Sequence, residues 1–180
     1  MSSSESATPE KIIPLLSDYA DAIISAIHEN GGDVLKLIGD GALAIFTADD
    51  SARACQAALA AAAVAARRAV AEVNRRRTAA AEPTTDMYLG LHIGEVFYGN
   101  IGSKERLDFT VVGPAVNEVS RIAAMCRSVD QPLLVFSAFA AAIGEPKKLL
   151  VSVGRYALRS VGRPQDLYTL DFTSNATDKC

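Results

Sequence analysis

Apolar residues recur at helical spacing near the start of the chain, at Ile12, Ile13, Leu15, Leu16, Tyr19, Ile23, Ile24 and Ile27. That period predicts an amphipathic helix. Thr8-Pro9-Glu10 reads as its start, with Thr8 as cap, Pro9 in the first turn and Glu10 at the positive end. Gly31-Gly32 reads as its stop, just after Asn30. Residues 34–38 are then apolar apart from Lys36, Gly39-Asp40-Gly41 is a tight turn, and residues 42–46 are apolar again. This predicts a β-hairpin with an Asp at its tip. An Ala-rich stretch from about Asp49 to Arg77 favours helix. Strands are expected at 87–93 and 96–101, interrupted at Gly94-Glu95, and again at 109–112. A helix from about Ala115 to Arg127, a strand at 133–136 and a short helix at 138–143 follow. Strand-like segments at 149–153, 155–158 and 167–170 close the chain. Strands and helices alternate without an internal repeat, which favours an α/β or α+β sandwich with helices over one sheet.

The 180 residues suit one domain, read as a loose N-terminus at 1–8, a body at 9–172 and a tail at 173–180. With 49% hydrophobic residues and no Trp, aliphatic side chains and Ala must fill the core. The net charge of −3, with both signs mixed, argues against a general nucleic-acid or membrane-surface binder. Arg75, Arg76 and Arg77 read as a solvated helix end whose cations suit the helix dipole. Cys55, Cys126 and Cys180 form no CxxC pair and no disulfide framework. Cys55 and Cys126 are expected in the core, and a reducing, cytoplasmic setting follows. The opening MSSSESATPEK has no apolar stretch of the kind a signal peptide needs. The apolar run 57–66 is too short, and too closely flanked by Arg, to be read as a membrane segment.

Chemistry enters with Asp40. A carboxylate between glycines at the tip of a hairpin expected to be buried suits a hard cation such as Mg²⁺, although an ordinary turn Asp looks the same. Lys36, in the strand leading to that turn, must reach water or an acceptor. Asn117 and Arg121 stand four apart on a predicted helix and share a face. An amide beside a guanidinium suits a ribose and a phosphate, and equally a solvent-facing polar pair.

The combination of KLIGDG, GLHIGE, YGNIG and VGPAVNEVSR at these spacings resembles class III adenylate and guanylate cyclases, from Pro9 to Leu170. The resemblance implies an α+β fold, a ferredoxin-like βαββαβ palm with extra C-terminal elements. It implies a head-to-tail homodimer with nucleotide sites between subunits, two Mg²⁺ or Mn²⁺ ions, and regulatory domains in the full-length protein. It implies attack of a ribose 3′-hydroxyl on the α-phosphate of ATP. By position, Asp40 looks like a metal-binding aspartate. Lys36 and Thr110 look like the base-reading pair, and Asn117 like the residue that orients the ribose. Arg121 looks like the arginine that stabilises charge on the transferring phosphate, and Arg159 falls at the lysine that holds the terminal phosphates.

Three departures go with it. Thr110 stands where many adenylate cyclases have Asp, similar to a bacterial subgroup described as bicarbonate-responsive, and with Lys36 it still points to adenine. Arg159 replaces a lysine. The family's first strand and its Asp, the other metal ligand, precede the segment that MSSSESATPEK resembles. The first strand is therefore expected to be missing, and the chain as given to show little or no cyclase activity. The alternative reading is a cyclase-like module that binds nucleotide or dimerises without turnover. A diguanylate-cyclase palm is disfavoured because the chain lacks a GGDEF or GGEEF hairpin.

Overall fold

A computed structural model describes residues 8–39, 41–102, 107–157 and 164–170. These gather into two compact units, each assembled from three stretches of chain. The first takes Met1–Asp49, Ala57–Met87 and Tyr98–Thr110. The second takes Asp50–Gln56, Tyr88–Phe97 and Val111–Cys180. The mixed α+β class is the one that the resemblance implies.

In the first unit, helix α1 spans Pro9–Glu29. Thr8 occupies the cap position but makes no side-chain capping bond, and its carbonyl accepts the first backbone bonds from Lys11 and Ile12. The Thr8 hydroxyl instead helps to hold the Glu10 carboxyl below its ordinary pKa, after the larger effect of Glu10's own backbone N–H. At the other end Gly31 adopts φ +77, Gly32 N–H donates to Ile27 O and Gly31 N–H to His28 O. That paired closure satisfies two terminal carbonyls and ends the helix at the predicted place.

Strands β1 (Asp33–Ile38) and β2 (Gly41–Ile45) form the expected hairpin. The register slips between Val34 and Lys36, which sets Lys36 opposite Leu43. Among the described residues this pair is a sheet by itself, and Leu37 and Ile38 are exposed. The hairpin is therefore not the fully buried one that its apolar residues suggest: Leu37 and Ile38 lie open, while the residues of β2 are half-buried.

Asp50 Oδ1 accepts from Ala52 N–H at 2.9 Å and opens the next helix. It runs as α2 (Ser51–Leu59), a π-type stretch (Ala60–Ala66) and α3 (Arg67–Ala79). The whole of Ser51–Ala79, 29 residues, is long and apolar enough by length and composition to cross a membrane, unlike the short run weighed from sequence. Its buried face, with Leu59, Ala62, Ala66, Val70 and Val73, is that of a core helix, and the part in the first unit packs on α1.

The Arg75–Arg77 cluster corrects an expectation. Arg75 is exposed and pairs with Glu72 at 2.6 Å. Arg77 is not solvated: its side chain is only 6% exposed. It reaches Asp18 Oδ2 on α1 at 2.7 Å, Glu82 at 3.4 Å, and donates from Nε to Pro83 O at 2.7 Å. Asn74 and Thr85 exchange two hydrogen bonds beside it, at 2.7 and 3.1 Å. The hairpin of β4 (Phe97–Gly102) and β5 (Leu107–Val112) is a further two-stranded sheet.

The second unit is built on a four-stranded sheet in the order β3 (Leu89–Leu91), β6 (Leu133–Phe136), β8 (Gln165–Leu170), β7 (Leu150–Tyr156). All four residues of β6 are buried, each side chain contributing about 2 kcal/mol. β3 runs parallel to β6, with Gly90 opposite Leu134, and β8 runs antiparallel, with Phe136 opposite Leu167. The strands thus fall into three sheets among the described residues, not the single sheet expected. Residues 149–153 and 155–158, read as two segments, give one strand, β7, which carries a register shift between Ser152 and Gly154. Helix α4 (Pro114–Met125) packs on this sheet through Ile122, with Cys126 just beyond its end. A short helix α5 (Ser137–Ala142) follows β6. Gln56 Nε2 donates to Ile143 O at 3.1 Å just beyond it. Cys55 and Cys126 are buried and unpaired, as expected, and burial pushes both thiols up to about 11.

Candidate functional site

Helix α4 carries the candidate chemistry of the second unit. Gly113 (φ 152) and Pro114 start it, and its apolar positions face β3 and β6. Asn117 is exposed and Arg121 half-buried, one turn apart. The shared face expected from their spacing is therefore present on one helix.

The segment leading from β3 explains why α4 sits where it does. Gly90, His92 and Gly94 alternate along it, and all three meet the helix. A Cβ at Gly90 would lie 2.8 Å from Val119 O and 2.9 Å from Ala123 N. A Cβ at Gly94 would lie 2.8 Å from Ala115 Cβ. Only the missing side chains let the two backbones approach this closely. The same approach ends β3 at Leu91 where the expected strand continues to residue 93, because residues 92–96 leave the ladder to follow the start of α4; at its other end β3 begins at Leu89, not at residue 87. At the far end, the Cys126 thiol donates to Leu89 O at 3.2 Å. Arg127 lies over the Tyr88 ring, 5.1 Å from its centroid.

Between the two glycines, His92 Nε2 lies 2.7 Å from Glu118 Oε2. The imidazole is 6% exposed and the Glu118 side chain 25%. The ring meets Phe136 of β6 edge-on, with centroids 4.4 Å apart. Burial lowers the His92 pKa below its ordinary 6.5, and the charge and hydrogen bond of Glu118 oppose that shift without reversing it. The shift favours the neutral ring, in which an Nε2 proton is placed to be donated to the carboxylate. Nδ1 is buried and finds no hydrogen-bond partner among the described residues. Sequence reasoning passed over this pair. The signal was the G-x-H-x-G alternation, which puts one polar side chain between two close-approach positions.

The other nominated residues lie elsewhere. Lys36 is exposed on β1 in the first unit. The backbone of Thr110 lies in β5, also in the first unit, and its side chain lies outside the described residues. Asp40 and Arg159 lie outside the described residues altogether. Among the described residues no three His, Cys, Asp or Glu side chains gather to hold a metal ion. They do not by themselves compose a divalent-metal site.

Residues 1–165 match the family model of the adenylate and guanylate cyclase catalytic domain. An uncharacterized protein of Mycobacterium tuberculosis is 32% identical over 158 residues, 87% of this chain and 27% of that protein. Adenylate cyclase 1 of Rhizobium meliloti is 30% identical over 143 residues, 77% of this chain and 21% of that protein. The chain spans about a quarter of the length of the curated relatives it matches. The crystal structure of the guanylyl cyclase Cya2 superposes with a TM-score of 0.74 at 26% identity, covering 96% of this chain and 87% of that one. The adenylyl cyclase CyaB of P. aeruginosa gives a TM-score of 0.77 at 22% identity, covering 93% and 86%, a likeness of fold.

Proposed function

Because the chain belongs to the adenylate and guanylate cyclase catalytic-domain family, we propose that it is the catalytic domain with which the full-length protein forms 3′,5′-cyclic AMP and pyrophosphate from ATP. The observation that carries this reading is the presentation of Asn117 and Arg121 on consecutive turns of one docked helix. The ribose 3′-hydroxyl attacks the α-phosphorus, the bond to the β-phosphate oxygen breaks, and the hydroxyl proton passes to solvent. Asn117 orients the ribose. Arg121 meets the charge that grows on the α-phosphate oxygens, where a fixed cation is most effective. Lys36 and Thr110 read the adenine, and Arg159 holds the terminal phosphates. A divalent ion, Mg²⁺ or Mn²⁺, supplies further charge neutralisation when bound, with Asp40 as the nominated ligand. The site is completed between two copies of the chain in a homodimer, in a cytoplasmic protein with regulatory domains.

Turnover of ATP and GTP by the full-length protein, by wild type and Lys36→Glu, tests the base assignment. ATP is preferred by wild type and the preference weakens in the variant, because a mismatched base leaves polar groups unpaired. Equal turnover of both nucleotides by wild type overturns the adenylate reading. The second reading is a module that binds nucleotide or dimerises without turnover. Nucleotide binding without cyclic product at any Mg²⁺ or Mn²⁺ concentration selects it.

A further inference from the structure

Helix α4 meets β3 and the segment after it through two kinds of contact. Ala115, Val119 and Ala123 set how closely the helix approaches Gly94 and Gly90. Contacts of that kind fix a distance but resist sliding and rotation weakly, since dispersion has no direction. The hydrogen bond from His92 to Glu118 is directional and fixes the angle as well. Glu118 directly follows Asn117 and stands one turn before Arg121. At 100° per residue, any turn of the helix about its axis that moves Glu118 moves both nominated residues with it.

We propose that His92 is the positioning residue of the site: by holding Glu118 from within the sheet, it sets the rotation at which α4 presents Asn117 and Arg121 to the nucleotide. The inference rests on the cyclase reading above. The pair is a costly way to do nothing but fill space. Nδ1 is buried with no partner among the described residues, so the desolvation of the ring is only partly offset, and apolar side chains of similar volume would pack there at lower cost. The ring meets the Glu118 carboxylate from α4 and the apolar ring of Phe136 from β6, and Gly94 lies beside Nε2.

The test uses the full-length protein with His92→Leu, which removes the donor, and His92→Gln, which keeps an N–H near the position of Nε2. Cyclic-AMP formation and amide hydrogen exchange are measured on both. His92→Leu lowers kcat by about tenfold to a hundredfold, the scale of a misplacement near 1 Å, while KM shifts by less than about threefold. His92→Gln recovers most of kcat. Exchange quickens across Pro114–Met125 in His92→Leu, stays at wild-type rates in His92→Gln, and is unchanged in Pro9–Glu29 in both. An unaltered kcat in His92→Leu, or a His92→Gln enzyme as slow as His92→Leu, overturns the proposal. A wild type that makes no cyclic nucleotide overturns the functional reading itself. The exchange measurement still judges the anchor in that case, and unchanged exchange in α4 overturns it.

Discussion

Arg77 in the first unit and His92 in the second are both buried polar side chains, and they are solved differently. Every guanidinium nitrogen of Arg77 has a partner: the Pro83 carbonyl at Nε, Asp18 at Nη1 and Glu82 at Nη2. Its partners tie α1 and the loop after α3 to one point. Asp18 and Glu82 remain 43% and 48% exposed, so only the cation is taken out of water. His92 is half satisfied: one nitrogen holds Glu118 and the other has no partner among the described residues. A saturated knot secures a fold. A half-satisfied one beside two candidate catalytic residues spends stability to keep a direction.

The sharpest way to break this contrast is Arg77→Met. Unfolding free energy falls by about 3 kcal/mol, because the Pro83 carbonyl and the Asp18 carboxylate lose their partner together. Urea denaturation measures it, and turnover per folded molecule stays at the wild-type level. A loss of turnover at full folding would make Arg77 part of the site and erase the distinction. Arg121→Ala is the converse. It lowers kcat about a hundredfold, roughly 3 kcal/mol in barrier, with little change in the unfolding midpoint. If KM rises and kcat holds, Arg121 is a ground-state binding group.

Smaller effects test the seat of α4. Gly90→Ala drives a methyl against Val119 O and Ala123 N and costs about 2 kcal/mol, read as a drop in melting temperature. An unchanged melting temperature would mean that β3 and α4 part without cost. Acid gives the mildest perturbation. The pKa of His92 is lowered in the folded state, mainly by burial, so the unfolded chain takes up its proton first as pH falls. Stability declines once pH drops below about 6.5, the unfolded value, and levels off below the folded one. His92→Gln removes that component of the decline, which paired pH titrations of stability detect.

Local features were legible in the sequence. The Gly31-Gly32 stop and the hairpin around Gly39 follow from backbone chemistry that a few residues settle. The two buried cysteines follow from their apolar neighbours. Arg77 was misread because its partner Asp18 is 59 residues away, and a helix end with three arginines looks solvated on its own. The hairpin's exposure was misread because apolar side chains predict a covered face without saying what covers it. His92 was overlooked because the meaning of G-x-H-x-G depends on the helix it touches, 26 residues later at Glu118. Asn117 and Arg121 were nominated by spacing and resemblance. What spacing could not supply was the residue between them that faces inward.

The π-type stretch Ala60–Ala66 bears on how this helix tolerates changes in length. Its wider turn takes up one more residue than an α-helical turn, a slack held among alanines where no large side chain fixes the count. Deleting one alanine there lets the stretch relax to regular helix. Deleting one residue farther along α3 removes no slack, and turns everything after it by about 100°. In the first case Arg77 still finds Asp18, and in the second it swings away from it. The chain can thus lose a residue at one place in Ser51–Ala79 and keep its buried cation in phase, an allowance that close reading of an alanine run as mere filler would miss.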